Sequence, residues 1–95
     1  VVTSPTLREP LRVEGDLTLG RRKDDEGVFG VGDRFMSARH ARIHVAGATA
    51  WITDLDSKNR TFVNERPLPP HQATELAVGD MVKMGETVIR LAQAN

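Results

Sequence analysis

The chain has 95 residues, 39% hydrophobic and 27% charged, enough apolar material for one compact domain and not for two. Lys and Arg together number 13, as do Asp and Glu, so the formal net charge is +0, which disfavours a general nucleic-acid binder with its basic excess. Cysteine is absent, which excludes disulfide scaffolds, thiolate metal sites and thiol nucleophiles, and no apolar run approaches the ~20 residues of a membrane helix, so no membrane partner is expected.

The opening Val1-Val2-Thr3-Ser4-Pro5 lacks a basic-then-apolar leader and reads as part of a longer, cytoplasmic chain. Short β-branched or alternating runs then recur between glycines and prolines, the pattern of an all-β sandwich or barrel. Leu11 and Val13 alternate, Gly15-Asp16 predicts a turn, and Leu17-Thr18-Leu19 resumes a strand. The stretch from Arg21 to Met36 shows no steady period and predicts a long loop. Ala41 to Val45 alternates cleanly, with Ala41, Ile43 and Val45 on one face and His40, Arg42 and His44 on the other. Ala46-Gly47-Ala48 predicts a hairpin turn and Ala50 to Leu55 the returning strand. Asp56 to Arg60 reads as a loop, Thr61-Phe62-Val63 as a short strand, Asn64-Glu65 as a turn. Pro67, Pro69 and Pro70 predict mostly loop from Arg66 to Ala73. After a turn at Val78-Gly79-Asp80, Met81 to Met84 and Thr87 to Leu91 predict a hairpin across Gly85-Glu86. Gln93 to Asn95 are expected to fray.

Strand parity collects three loops at one end. If the strand ending at Leu19 runs up, Arg21 lies at the top, and the loop to Ser37 begins and ends there. The chain then descends to Gly47 and returns, so Asn59 reaches the same rim. Loops on a rigid scaffold are the usual place for recognition. Arg21 offers a fork of donors suited to a phosphate, Ser37 a hydroxyl donor, and Asn59 both donor and acceptor for a peptide backbone. The span from Arg21 to Arg60 holds eight basic residues against six acids, a weak bias of the sign an anionic ligand needs.

Leu17-Thr18-Leu19-Gly20-Arg21, Ser37-Ala38-Arg39-His40-Ala41, Asp54 to Asn64 and Leu76-Ala77-Val78-Gly79-Asp80 together closely resemble, in order and spacing, the forkhead-associated (FHA) domain. The resemblance runs from about Leu11 to Leu91 and makes residues 1–95 a single such domain, with a partial first strand and loop over 1–10. It implies an eleven-stranded β-sandwich of two twisted, mostly antiparallel sheets with recognition loops at one end. It implies that Arg21 and Ser37 contact phosphate, that Asn59 holds the backbone of a phosphothreonine peptide, and that Gly20 and His40 shape the loops. The first strand is expected beside the last, with Val1-Val2 against Val88-Ile89-Arg90. Three positions depart from the family, the first being Lys58 where threonine is usual. Arg60 stands where glycine is usual, and must take a negative φ or bear strain; Asn64-Glu65 replaces the more usual Asn-Gly turn.

The partners this implies are a threonine-phosphorylated protein and the Ser/Thr kinase that marks it, with no nucleic acid or membrane. Arg34, Lys58 and Arg60 are selectivity candidates favouring an acid three places after the phosphothreonine; Phe35 is the rival, an apolar platform for an aliphatic side chain. The alternative function is an interaction module of the same fold that acts independently of phosphate. Catalysis is not expected: no paired carboxylates stand out, and serine hydrolysis would need Ser37 paired with a base and an oxyanion hole, whereas His40 is expected to be oriented inward. No cofactor or metal is expected either. His40 and His44 lack an evident third ligand, and Gly30-Val31-Gly32 has neither a following helix nor a phosphate-binding lysine. Trp51 is expected in the sandwich surface or core, and His71 in a plain loop.

Overall fold

The computed structural model describes residues 2–3, 13, 15–22 and 27–92. Ten strands lie among them: β1 (Val2–Thr3), β2 (Gly15–Gly20), β3 (Val28–Gly30), β4 (Ala41–Ala46), β5 (Thr49–Asp54), β6 (Thr61–Val63), β7 (Arg66–Pro67), β8 (Thr74–Leu76), β9 (Met81–Met84) and β10 (Thr87–Leu91). They form two five-stranded sheets, ordered β1-β10-β9-β6-β7 and β3-β2-β4-β5-β8. The β2–β3 pair is parallel and the other strand pairs are antiparallel.

Alternation decides which face each strand buries. In β4, Ala41 and Ile43 are buried while Arg42 and His44 are exposed; in β9, Val82 and Met84 are buried while Met81 and Lys83 are exposed. Leu19, Ile43 and Ile52 from one sheet and Val82, Met84 and Ile89 from the other share one core with Met36. Such side chains each contribute about 1.5–3 kcal/mol when fully buried. Met36 is 1% exposed, so the loop before β4 is anchored in the core one residue ahead of Ser37.

The hairpins across Gly47-Ala48 and Gly85-Glu86 form as expected. β1 pairs with β10, but in the register Val2↔Leu91 and Thr3↔Arg90, two positions beyond the expected centre; Val1 lies outside the described residues. Leu11, the remainder of the first ten residues and the tail 93–95 also lie outside them.

Two expectations are corrected. Gly15-Asp16 is not a turn but the start of β2, because both residues pair with β4, Gly15↔Val45 and Asp16↔His44. The stretch from Arg21 to Met36 is not all loop: Val28–Gly30 is an edge strand parallel to β2, too short to show a period of its own. The segment from Arg66 to Ala73 is mostly loop as expected, with Arg66-Pro67 forming a short strand paired with β6, where the proline is tolerated because β7 is a sheet edge. The Asn64-Glu65 turn joining β6 and β7 has φ of +47° and +71°, the doubly left-handed turn that suits a two-residue hairpin.

Candidate functional site

Gly20 closes β2 where the chain passes under the following loop. A Cβ there would lie 1.8 Å from the Ala38 carbonyl oxygen and 2.8 Å from its carbon, so only glycine permits the approach. The next residue, Arg21, is fixed at both backbone groups. Its N–H donates to the Ser37 carbonyl (3.1 Å) and its carbonyl accepts from Gly32 N–H (2.9 Å). Its side-chain Nε is buried and has no hydrogen-bond partner among the described residues. An unpaired buried donor is uncommon and costs about 1–3 kcal/mol, more for a charged group.

Ser37 is held on three sides. Its N–H donates to His40 Nδ1 (3.0 Å), its carbonyl accepts from Arg21, and its Oγ accepts from Lys58 N–H (2.9 Å). The hydroxyl proton is left to donate outward. Asn59 follows Lys58 and donates from Nδ2 to the Phe35 carbonyl (2.7 Å), leaving a second N–H and the amide oxygen. The structure therefore brings Arg21, Ser37 and Asn59, from three separate loops, to one rim.

His40 is fully buried under that rim. Nδ1 accepts from Ser37 N–H, so Nε2 carries the proton and donates to the Arg60 carbonyl (2.8 Å). Arg60 takes φ of +68°, the strained alternative of the two expected. Its guanidinium Nη2 donates to the Leu68 carbonyl (3.0 Å), which ties this selectivity candidate back toward the segment after β7. Lys58 is exposed. Arg34 and Phe35, set against each other as rivals in the sequence, are stacked: the guanidinium carbon lies 5.1 Å from the ring centroid, and Phe35 is 41% exposed.

Two carboxylates that sequence reasoning did not single out organise these loops. Asp54, fully buried, accepts from the Ser57 hydroxyl, from Ser57 N–H (3.1 Å) and from Thr61 Oγ1 (2.7 Å), and so shapes the loop that carries Asn59. Burial pushes its pKa up, but the Ser57 and Thr61 hydroxyls, the Ser57 amide and the neighbouring His40 outweigh that and hold it below the ordinary carboxylate value. Asp33 accepts from Phe35 N–H (2.8 Å), Glu86 N–H (2.8 Å) and Thr87 Oγ1 (2.7 Å). Its pKa is also pushed up by burial and, more strongly, down by these donors and the Thr87 amide. The available signal was an Asp two or three residues ahead of an N–H it can accept from, as in Asp54-x-x-Ser57. Asn64 ties its turn to β9: its N–H donates to the Met81 carbonyl (2.8 Å), its Oδ1 accepts from Met81 N–H (3.0 Å), and its Nδ2 donates to Asp80 (3.0 Å).

The remaining sequence candidates lie away from the rim. His44 is exposed on the outer sheet face, bonded to Asp16, with its ring 5.8 Å from that of half-buried Trp51. His40 and His44 are thus committed to different partners, and His71 is exposed beyond Pro70. A groove of about 520 Å³ bordered by Phe62, Met81, Lys83 and Val88 opens on the outer face of the other sheet. A second of about 420 Å³, between Gly32, Arg34, Phe35 and Glu86, flanks the rim. No helix of the described residues is long and apolar enough to cross a membrane.

A two-sheet sandwich with a conjoined Arg, Ser and Asn on one rim defines the class of protein. The FHA domain family model matches residues 17–85. The chain is 36% identical over 80 residues to the FHA domain-containing protein FhaA of Mycobacterium tuberculosis, an alignment covering 82% of this chain and 14% of that protein. It is 30% identical over 80 residues to FhaB of Mycolicibacterium smegmatis, covering 79% of this chain and 50% of that one. It therefore spans half or less of the length of these relatives. Among solved structures, one from a study of phosphothreonine-dependent FHA domain interactions matches with TM-score 0.79, 31% identity, and coverage of 99% of this chain and 95% of that one. The FhaA FHA domain complexed with the intracellular domain of Rv3910 matches with TM-score 0.77, 30% identity and 94% coverage of each. This chain belongs to the FHA domain family, a family of interaction modules.

Proposed function

We propose that this domain binds phosphothreonine peptides and so recruits a threonine-phosphorylated protein, with no catalysis of its own. The observation that carries the reading is the Arg21 side chain, whose Nε donor is buried with no hydrogen-bond partner among the described residues, on a residue whose own N–H is bonded to Ser37, whose hydroxyl accepts from Lys58 and keeps its proton to donate. A phosphate brings about −1.5 to −2 charge and three strong acceptor oxygens, which would satisfy both donors at once. Arg21 and Ser37 take the phosphate, and Asn59 holds the peptide backbone with its remaining amide groups. Gly20 and His40 set the loops. Because the Ser37 and Asn59 side chains are already held by backbone hydrogen bonds and the Arg21 backbone is fixed at both its N–H and its carbonyl, little ordering accompanies binding. A Ser/Thr kinase supplies the mark, which agrees with a cytoplasmic setting, and neither nucleic acid nor membrane is involved. The phosphothreonine-dependent interactions described for a similar solved domain support the same reading.

Calorimetry with a phosphothreonine peptide and its unphosphorylated twin tests it. Binding of the phosphorylated peptide alone is expected. Equal affinity for the two would instead favour a module that acts independently of phosphate.

A further inference from the structure

The tip of the β9–β10 hairpin supplies no residue to the rim, yet it is bonded to the loop that builds it. Asp33 makes the link. One carboxylate oxygen accepts from Glu86 N–H (2.8 Å) and Thr87 Oγ1 (2.7 Å), and the other accepts from Phe35 N–H (2.8 Å). The Asp33 carbonyl also accepts from Met36 N–H (3.1 Å). Opposite, Gly85 leaves no room for a side chain: a Cβ would lie 2.9 Å from Asp33 Oδ2, 2.9 Å from the Phe35 carbonyl carbon and 3.0 Å from Met36 N. The loop therefore lies directly on the hairpin backbone.

Phe35, fixed at its N–H by Asp33, presents its carbonyl to Asn59 Nδ2 at 2.7 Å. Asn59 is otherwise exposed. A free exposed amide would turn over and offer oxygen and nitrogen interchangeably. The Phe35 carbonyl removes that freedom, since it accepts only the nitrogen.

We propose that Asp33 is a positioning residue for ligand binding: by clamping the Phe35 backbone to the β9–β10 hairpin it sets the carbonyl that orients the Asn59 amide. The inference rests on the reading of Asn59 as the holder of the peptide backbone. Asp33 touches no ligand and acts through two intermediates, one backbone carbonyl and one side-chain amide. Asparagine at position 33 would keep the shape but turn one acceptor oxygen into a donor. Either the Phe35 amide or the Glu86 and Thr87 donors would then face a second donor.

The test combines side-chain amide NMR of the unliganded protein with phosphothreonine-peptide calorimetry. In Asp33→Asn the Asn59 side-chain resonances should move toward those of a freely exposed asparagine, and affinity should fall by about threefold to tenfold, the loss of one hydrogen bond. Thr87→Val removes one donor from the same carboxylate oxygen and leaves the Phe35 bond in place, so it should produce a smaller change of the same sign; it also serves if Asp33→Asn fails to fold. In an Asn59→Ala background Asp33→Asn should have no further effect on affinity. A general loosening of the fold would lower affinity equally in both backgrounds, and that result overturns the proposal, as does an Asn59 amide signal unmoved by both substitutions. If wild-type protein does not distinguish phosphorylated from unphosphorylated peptide, the reading of the rim fails, and the NMR comparison alone then decides the role of Asp33.

Discussion

The imidazole of His40 meets the carbonyl of Arg60 at 2.8 Å, joining two loops twenty residues apart in sequence. The same ring accepts from Ser37 N–H, so a single buried side chain fixes the loops carrying Ser37 and Asn59 relative to each other. Arg60 sits at positive φ, a conformation that costs about 1–2 kcal/mol for a non-glycine residue, and this bond helps hold it.

His40→Ala should therefore reduce stability first. It leaves the part-buried Ser37 N–H and Arg60 carbonyl unpaired, each costing up to about 1–3 kcal/mol, and each kcal/mol shifts the melting temperature of a domain this size by roughly 4–8 °C. Thermal unfolding followed by circular dichroism checks this. An unchanged melting temperature with binding abolished would make His40 a ligand contact instead.

Arg21→Ala and Ser37→Ala should each weaken phosphothreonine-peptide binding by about tenfold or more while the fold survives, since charge-assisted hydrogen bonds contribute ~1.5–3 kcal/mol each. Asn59→Ala should weaken it less steeply, through the peptide backbone. Wild-type affinity in Arg21→Ala would place the phosphate elsewhere.

Gly20→Ala should damage stability and binding together. The added methyl would sit 1.8 Å from the Ala38 carbonyl oxygen, on backbone that cannot swing aside as a side chain does. The loop carrying Ser37 must move for the protein to fold. A Gly20→Ala protein with wild-type melting temperature and affinity would contradict that geometry.

Acid should unfold the domain partly through Asp33 and Asp54. Both folded-state pKa values lie below their unfolded ones, so the unfolded chain binds protons more readily. Their contribution is complete above the unfolded value of about 3.9 and is lost as pH falls through the lowered folded values. Stability should thus be insensitive to these groups at neutral pH and decline below about pH 4. In Asp33→Asn and Asp54→Asn the neutral-pH stability should drop and the acid decline should be shallower. An acid limb as steep as wild type in both would remove them from the account.

Selectivity should favour an acidic residue three places after the phosphothreonine, modestly and in a salt-sensitive way, because exposed pairs are worth only ~0–1 kcal/mol. Arg34 and Lys58 are the cations to supply it; the Arg60 guanidinium is already bonded to Leu68. Peptides with Asp, Ile or Ala at that place, titrated at low and high salt, decide the matter. An Ile preference that persists in salt would transfer the role to Phe35.

Much of this molecule is written locally. The alternation from Ala41 to Val45 and its return through Ile52 dictate a hairpin with one buried face, because a strand's side chains change sides at every residue. That hairpin alone is enough to bring Ser37 and the loop of Asn59 to the same end. The motif residues Arg21, Ser37 and Asn59 could be picked out because each matches a family pattern within its own short segment. Other features depend on partners distant in sequence. Val28–Gly30 is a strand only because β2 lies beside it, and Gly15-Asp16 extends β2 only because Val45 and His44 lie opposite. Asp33 reaches Thr87 across 54 residues, and Arg60 tolerates its left-handed backbone under His40 and Leu68. Alternation and turn chemistry are fixed by neighbours along the chain, so the sequence determined them by itself. Edge pairing, the hairpin's hold on the rim and the orientation of Asn59 depend on groups that become neighbours only when the two sheets close on one core, and the tertiary structure decided those.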